Sequence, residues 1–134
     1  SLHDALPISG TERILFVDDE EALVDVGCKM MGKLGYVVTG ANSGLEALAL
    51  FRKDPKAFDL IMTDQTMPGL TGVELSREIL ALRPDMPIIL FTGYSQHVDQ
   101  EAATAMGIKR FILKPFVLQE IIQAVRETLA ECQT

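Results

Sequence analysis

Five polar side chains that could handle a metal ion and a phosphate each follow a short apolar run, directly or within two residues. They are Asp18 and Asp19 after the first run, Asp64 after the third, Thr92 after the fourth and Lys114 after the fifth. Carboxylates are the oxygen ligands that Mg²⁺ prefers, and an ammonium group and a hydroxyl can hold phosphate oxygens. These residue types suit phosphoryl transfer, where catalysis is mostly positioning and charge neutralisation.

Each of these residues also has an ordinary explanation when it is taken alone. Asp18 or Asp19 could cap the first helix, and Asp64 could be a turn residue. Thr92 could belong to an ordinary loop, and Lys114 could be a solvated lysine. Their shared position favours a common site, because the carboxyl ends of parallel strands meet at one edge of a sheet.

Three carboxylates in one crevice need a positive partner. Each pair repels by about 4 kcal/mol at roughly 4 Å and an effective dielectric constant near 20. Mg²⁺ is the usual counter-ion where phosphate is the substrate, and the sequence has no His and Cys cluster for zinc. We expect Lys114 and this cation to hold a phosphoryl group, with Thr92 donating its hydroxyl. Asp64 is the best candidate nucleophile, because its strand is central and the turn from Gln65 to Gly72 is rich in small and turn-forming residues. That turn could bring a backbone carbonyl to the metal.

The apolar runs predict the elements that must position these side chains. Five runs are continuously apolar, as expected of parallel strands covered on both faces: Ile14–Val17, Tyr36–Val38, Leu60–Met62, Ile88–Phe91 and Phe111–Leu113. Amphipathic helical stretches separate them, which indicates an α/β domain. Right-handed crossovers then favour a flavodoxin-like three-layer sandwich with a five-stranded parallel sheet in the order 2-1-3-4-5. Only Thr39, Gly40 and Ala41 follow the second run, as expected of an edge strand.

Local signals mark where some helices begin. Ser43 with Glu46 and Thr71 with Glu74 each fit a capping box, in which a hydroxyl and a carboxylate satisfy amide donors of the first turn. The stretch Asp99–Met106 is the weakest predicted helix, because its apolar stripe is shallow. We expect a shallowly buried helix to move easily.

Length and composition limit the class of protein. The chain has 134 residues, of which 48% are hydrophobic, and this fits one globular domain. The net charge of −7 disfavours nucleic-acid binding. No apolar run approaches the roughly 20 residues that span a bilayer, so we expect a cytoplasmic protein without membrane contact. Residues 1–10 show no hydrophobic periodicity and are expected to be a linker or leader before a domain of residues 11–134. Cys28 and Cys132 are expected to be free thiols.

Several strings of the sequence resemble the receiver domain of two-component response regulators. They run from Ile14 to Glu20, from Asp59 to Gly69, from Phe91 to Gly93 and from Phe111 to Phe116. The resemblance covers about residues 12 to 130. It is strongest toward receivers fused to the carboxyl end of hybrid sensor histidine kinases, so that residues 1–10 would end an interdomain linker and the longer parent would be a kinase.

The resemblance implies roles for the acidic residues. Asp64 matches the phosphoacceptor that attacks a phosphohistidine of a histidine kinase or a histidine phosphotransfer domain. Asp19 matches the direct Mg²⁺ ligand, with Asp18 acting through water, and the backbone carbonyl of Thr66 matches the third protein ligand. The isolated domain would not be an enzyme, although it would promote its own phosphorylation and dephosphorylation.

The resemblance also implies a conformational switch. Thr92 matches the hydroxyl that closes on the phosphoryl group, Lys114 the lysine that pairs with it, and Phe111 the aromatic side chain that turns inward on activation. Phe111 lacks the hydroxyl that is common at this position. The resemblance further implies a cis bond before Pro115, and the bulk of Tyr94 suggests slow self-dephosphorylation.

Other readings of the same sequence stay open. One is a pseudo-receiver, a module on the same fold that binds a partner through its last two helices without phosphorylation. A homodimer through those helices is a related expectation. Another is a small Mg²⁺-dependent phosphatase, although the sequence lacks the Gly-rich motifs that bind nucleotides.

Overall fold

The computed structural model describes residues 11–93 and 97–132, in which five strands alternate with five helices. The strands are β1 Arg13–Val17, β2 Val37–Ala41, β3 Leu60–Asp64, β4 Ile88–Thr92 and β5 Arg110–Leu113. The helices are α1 Glu21–Lys33, α2 Gly44–Lys53, α3 Gly72–Leu82, α4 Gln100–Met106 and α5 Leu118–Cys132. The proposed leader of residues 1–10 and the side chain of Tyr94 lie outside the described residues.

All strand pairs are parallel, and the sheet order is β2-β1-β3-β4-β5. The register places Leu15 beside Ile61 and Thr63 beside Leu90, so the three central strands end at nearly the same level. The predicted flavodoxin-like topology is confirmed.

Helices cover both faces of the sheet, which gives two apolar layers. Ile14 and Phe16 point into the layer that contains α1 and α5, whereas Leu15 and Val17 point into the layer of α2, α3 and α4. Successive side chains of a strand face opposite sides, so a strand with both faces covered must be apolar at every position. This explains why the central runs are continuous rather than alternating.

Each strand extends one or more residues beyond its apolar run, and the bounds predicted for the second strand are the most in error. It begins at Val37 rather than Tyr36 and continues through Ala41, and Tyr36 is buried just before it. Residues 39–41 extend the strand because β1 pairs with it as far as Ala41. Tertiary pairing therefore overrides the low strand propensity of Gly40. The strand does lie at the edge of the sheet, and Val37 is 57% exposed.

Only one of the two predicted capping boxes is complete. At α3, the Thr71 side chain accepts from the amide of Glu74 while the Glu74 carboxylate accepts from the amide of Thr71. At α2, Ser43 accepts from the amide of Glu46, but the Glu46 carboxylate reaches the amide of Asn42 instead of that of Ser43. The reciprocal box predicted at Ser43 is therefore wrong.

Helix α3 begins unusually close to the end of β3. A Cβ atom on Gly72 would lie 2.4 Å from the carbonyl oxygen of Asp64 and 2.5 Å from Cδ1 of Leu90. Glycine is needed here for space, because the first turn of the helix contacts the backbone that carries the Asp64 side chain.

We predict that Gly72→Ala destabilises the domain by about 1–3 kcal/mol, because the added methyl group overpacks this contact. The matched control is Gly32→Ala in α1, where a Cβ atom would meet nothing within 4 Å. That variant should be stabilised by about 0.4–1 kcal/mol through the entropy of the unfolded chain. Urea unfolding followed by circular dichroism measures both, and equal effects of the two substitutions would contradict the assigned contact.

Candidate acidic site at the carboxyl edge of the sheet

The strand ends bring the predicted residues together. Asp18 directly follows β1, Asp64 and Thr92 are the last residues of β3 and β4, and Lys114 directly follows β5. Val17 pairs with Thr63, so the next residues, Asp18 and Asp64, lie side by side. The edge of the sheet alone therefore positions four of the five predicted groups.

The three aspartates form one cluster. One carboxylate oxygen of each of Asp18, Asp19 and Asp64 lies within 4.8 Å of the others. Asp18 is 2% exposed and Asp64 is 4% exposed, whereas Asp19 is open to solvent. Two negative charges are thus held out of water at a distance where they repel each other strongly.

Among the described residues, Lys114 is the cation that lies between the two buried acids, Asp18 and Asp64. Its Nζ donates a hydrogen bond to Oδ2 of Asp18 at 3.0 Å. The same Nζ lies 3.0 Å from Oδ1 of Asp64, as an ion pair without hydrogen-bond geometry. The Lys114 backbone amide donates to the carbonyl of Thr92 at 2.7 Å, which fixes the lysine to the end of β4.

The pKa values of the pair reflect burial and charge. Burial, with a further contribution from Asp18, raises the pKa of Asp64 above its ordinary value even though Lys114 opposes the shift. Burial alone would lower the pKa of Lys114, but Asp64 and Asp18 outweigh it and raise that pKa. Lys114 is therefore charged at neutral pH, and one ammonium faces three carboxyl groups.

The oxygens of the three aspartates are not equally available. Asp18 Oδ1 accepts from the amide of Glu20 at 2.9 Å, and its Oδ2 accepts from Lys114. Asp18 therefore tightens the turn before α1, although it is not the helix cap. Asp64 Oδ1 is buried and accepts no hydrogen bond from the described residues. A buried carboxylate oxygen that is held by an ion pair alone, as this one is by Lys114, can also bind a metal ion.

This donor set fits Mg²⁺. The cluster consists of hard carboxylate oxygens, and Mg²⁺ takes oxygen ligands while keeping several waters. The oxygens are close enough to surround one ion after small side-chain adjustments. Asp18, Asp19 and Asp64 are thus the residues that could hold it, and the exposure of Asp19 leaves room for water on the open side.

The remaining predicted residues differ in burial and in position. Thr92 is 5% exposed at the end of β4. Thr66 lies in the loop after Asp64 and is exposed. Phe111 is half-buried in β5 and packs against the layer of α2, α3 and α4. The peptide bond before Pro115 is cis, as predicted.

Gln65, the residue after Asp64, was not predicted to have a separate role. Its amide donates to the carbonyl of Phe91, and its side chain accepts from the amide of Val73 at 2.8 Å. A glutamine next to a strand end carries no recognisable signal. The signal in the sequence for a close backbone approach near Asp64 was Gly72, a glycine at the first position of α3.

Comparison with known proteins decides the family. The model of the response regulator receiver domain matches residues 14–126. The chain belongs to this family. Among curated proteins, this receiver domain is 32% identical over 125 residues to the sensor kinase CckA of Brucella abortus, covering 93% of this chain and 13% of that protein. It is 31% identical over 118 residues to the transcriptional regulatory protein CreB of Escherichia coli, covering 88% and 51%. The receiver domain therefore spans about half or less of the length of these relatives.

Solved structures of similar proteins have the same fold. A receiver domain protein from Clostridium thermocellum superposes with a TM-score of 0.86 at 27% identity, covering 91% of this chain and 97% of that one. The response regulator TrrA of Thermotoga maritima, in complex with Mg²⁺ and BeF, superposes with a TM-score of 0.78 at 31% identity, covering 88% and 99%.

Among the described residues, none of the helices combines the length and the apolar character needed to cross a membrane.

We predict that Lys114→Ala destabilises the metal-free domain by about 1–3 kcal/mol at pH 7.5, because it leaves two buried carboxylates without their cation. Lys109→Ala is the matched control, since Lys109 is exposed beside β5, and its effect should stay within about 0.5 kcal/mol.

The loss caused by Lys114→Ala should shrink as the pH falls toward 5. An acid whose folded pKa is raised favours folding when it is protonated, and protonation of Asp64 removes one of the two uncompensated charges. Urea unfolding in a chelator at several pH values measures the difference between the variant and the unmodified chain. A difference that stays constant or grows with acidification would contradict the assigned pairing.

Proposed function

We propose that this receiver domain accepts a phosphoryl group from a phosphohistidine onto Asp64 in the presence of Mg²⁺ and changes conformation as a result. One observation carries the proposal: a buried carboxylate that lies 3.0 Å from a lysine stands beside two more carboxylates and a threonine at the same edge of the sheet. A receiver that only docks a partner would not need all of these groups.

The transfer is a displacement at phosphorus. A carboxylate oxygen of Asp64 forms the new P–O bond as the P–N bond of the phosphohistidine breaks. The leaving imidazole keeps the electron pair of that bond and takes a proton from solvent. The product is an aspartyl phosphate.

Mg²⁺ would supply positive charge to the phosphoryl oxygens and to the attacking carboxylate. We assign Asp19 as a direct ligand and Asp18 as a ligand through water, because both oxygens of Asp18 already accept hydrogen bonds while Asp19 is exposed. Asp64 and the backbone carbonyl of Thr66 complete the protein ligands. The complex of the similar protein TrrA with Mg²⁺ and BeF supports a magnesium site in this family.

Lys114 and Thr92 would sense the new group. Lys114 now lies between Asp18 and Asp64, and a phosphoryl group on Asp64 would offer its Nζ additional negative oxygens. Thr92 would donate its hydroxyl to another of these oxygens. Because the amide of Lys114 is bonded to the carbonyl of Thr92, the two residues would respond together. Phe111, half-buried in the neighbouring strand, would then turn inward, and the short helix α4 would follow.

The source of the phosphoryl group and the wider context are further parts of the proposal. A histidine kinase or a histidine phosphotransfer domain has the required phosphohistidine. The similarity to the sensor kinase CckA is compatible with a hybrid kinase as the longer parent protein. A cytoplasmic location, self-catalysed phosphorylation and dephosphorylation, and a homodimer through α4 and α5 are the associated expectations.

The alternative function is the pseudo-receiver, which would bind its partner without phosphorylation. The two functions differ in what they demand of Asp64. Phosphorylation requires its carboxylate, whereas partner binding through α4 and α5 does not require the carboxylate of Asp64.

We expect Asp64→Asn to abolish the gain of one phosphoryl mass, labile in strong acid and in base, that a small phosphodonor and Mg²⁺ produce in the wild-type chain. An amide is a poor nucleophile toward phosphorus, so no residual reaction at this site is expected. Asp25→Asn, a change at an exposed aspartate of α1, is the control and should leave the reaction intact. Intact-mass measurement with stability tests in acid and base reads the result, and an unchanged modification of the Asp64→Asn variant would refute the assignment.

We expect Asp19→Asn to weaken Mg²⁺ binding by about tenfold or more, equivalent to at least about 1.4 kcal/mol, because it removes a charged ligand. Asp25→Asn again serves as the control, since it removes the same charge from an exposed position outside the cluster. Isothermal titration calorimetry with MgCl₂ measures both. Equal weakening by the two variants would show that only the net charge matters and not the position of Asp19.

A further inference from the structure

Gln65 accepts two of the first three amides of α3. Its backbone carbonyl accepts from the amide of Gly72 at 2.9 Å, and its side-chain Oε1 accepts from the amide of Val73 at 2.8 Å. The Thr71 hydroxyl accepts from the third amide, that of Glu74. The first amides of a helix have no partners within the helix, so an outside residue that binds two of them becomes its anchor.

The same residue is fixed to the sheet. The amide of Gln65 donates to the carbonyl of Phe91 at 3.0 Å, one residue before Thr92. Gln65 also follows Asp64 directly in the chain. One glutamine therefore joins the strand of the proposed nucleophile, the strand of the proposed switch residue and the start of α3.

These bonds close the loop that runs from Thr66 to Thr71. The loop leaves the sheet after Gln65 and returns at Gly72, where the helix start lies against the backbone of Asp64. Thr66, whose carbonyl is proposed to bind Mg²⁺, is the first residue of this closed loop. A change in the closure would move Asp64 and the Thr66 carbonyl relative to each other.

We infer that Gln65 is a positioning residue for the acidic site, and that its side-chain bond to Val73 sets the spacing between the Asp64 carboxylate and the Thr66 carbonyl. This inference rests on the proposed function of Asp64 and Thr66. Gln65 is not among the residues proposed to bind the metal or the phosphoryl group. Its effect on them is that of an outer partner, whose loss commonly reduces metal affinity or activity by 10-fold to about 100-fold.

Two substitutions at the same helix end separate positioning from helix stability. Gln65→Met keeps the length of the side chain but removes the acceptor for the Val73 amide. Thr71→Ala removes the acceptor for the Glu74 amide, and the loss of such a cap costs about 1 kcal/mol. Both variants lose one hydrogen bond at the start of α3, but only Gln65 is joined directly to Asp64.

The experiment measures three quantities for the full chain and its variants. They are the Mg²⁺ dissociation constant by calorimetry, the rate of phosphorylation by a small phosphodonor from intact mass, and the thermal unfolding midpoint. We expect similar drops in the midpoint for Gln65→Met and Thr71→Ala. Only Gln65→Met should also weaken Mg²⁺ binding and slow phosphorylation, each by about tenfold.

The conservative variant Gln65→Glu keeps an oxygen acceptor for the Val73 amide and should bind Mg²⁺ more tightly than Gln65→Met does. Gln65→Ala provides a second truncation and should reproduce the defects of Gln65→Met. The inference is overturned if both truncated variants bind Mg²⁺ as the unmodified chain does, or if Thr71→Ala weakens binding equally. Failure of the unmodified chain to take up a phosphoryl group would instead refute the proposed function, and the Mg²⁺ titrations would still decide the positioning role.

Discussion

Repulsion among carboxylates is the constraint on which the rest of this receiver domain depends. Asp18 and Asp64 are almost fully buried, and Asp19 completes their cluster. Charged groups are rarely buried unless a partner of opposite sign offsets the loss of hydration. Lys114 provides one such charge by lying 3.0 Å from both buried acids. The remaining negative charge makes the cluster a receptive place for a divalent cation and, with it, for a phosphoryl group.

The fold maintains this unfavourable arrangement of charges by holding the charged residues at fixed positions. A parallel sheet covered on both faces holds the strand ends in a fixed register, so the positions of Asp18, Asp64 and Thr92 follow from backbone pairing. The Gln65 side chain binds the first turn of α3 and so closes the loop after Asp64. The absence of a side chain at Gly72 lets the start of α3 lie against the backbone of Asp64. Apolar packing in two layers stabilises the sheet and offsets the cost of the buried charges.

Most of these polar residues could be predicted as neighbours because they lie at strand ends. A continuous apolar run shows where a central strand ends, and parallel strands place those ends together, so Asp18, Asp64, Thr92 and Lys114 could be predicted as neighbours. The bounds of β2 could not be predicted in the same way, since Thr39 and Gly40 join the strand only through pairing with β1. An edge strand has weak apolar patterning of its own.

The contacts of polar side chains were harder to foresee than their positions. Glu46 is three residues after Ser43, as a capping box requires, yet its carboxylate binds the amide of Asn42. The role of Gln65 depends on a helix start seven residues later and on Phe91 in another strand. Such contacts arise from tertiary closure, and sequence spacing does not encode them.

Paramagnetic broadening by Mn²⁺, followed by carbon-detected NMR of the labelled chain, tests the central electrostatic claim most directly. If a divalent cation offsets the carboxylate cluster, Mn²⁺ at low concentration will first broaden the carboxyl signals of Asp18, Asp19 and Asp64 and the carbonyl signal of Thr66. Excess Mg²⁺ will restore them. Broadening that begins instead at distant acids such as Asp85 or Glu78, or that Mg²⁺ leaves unchanged, would contradict the claim.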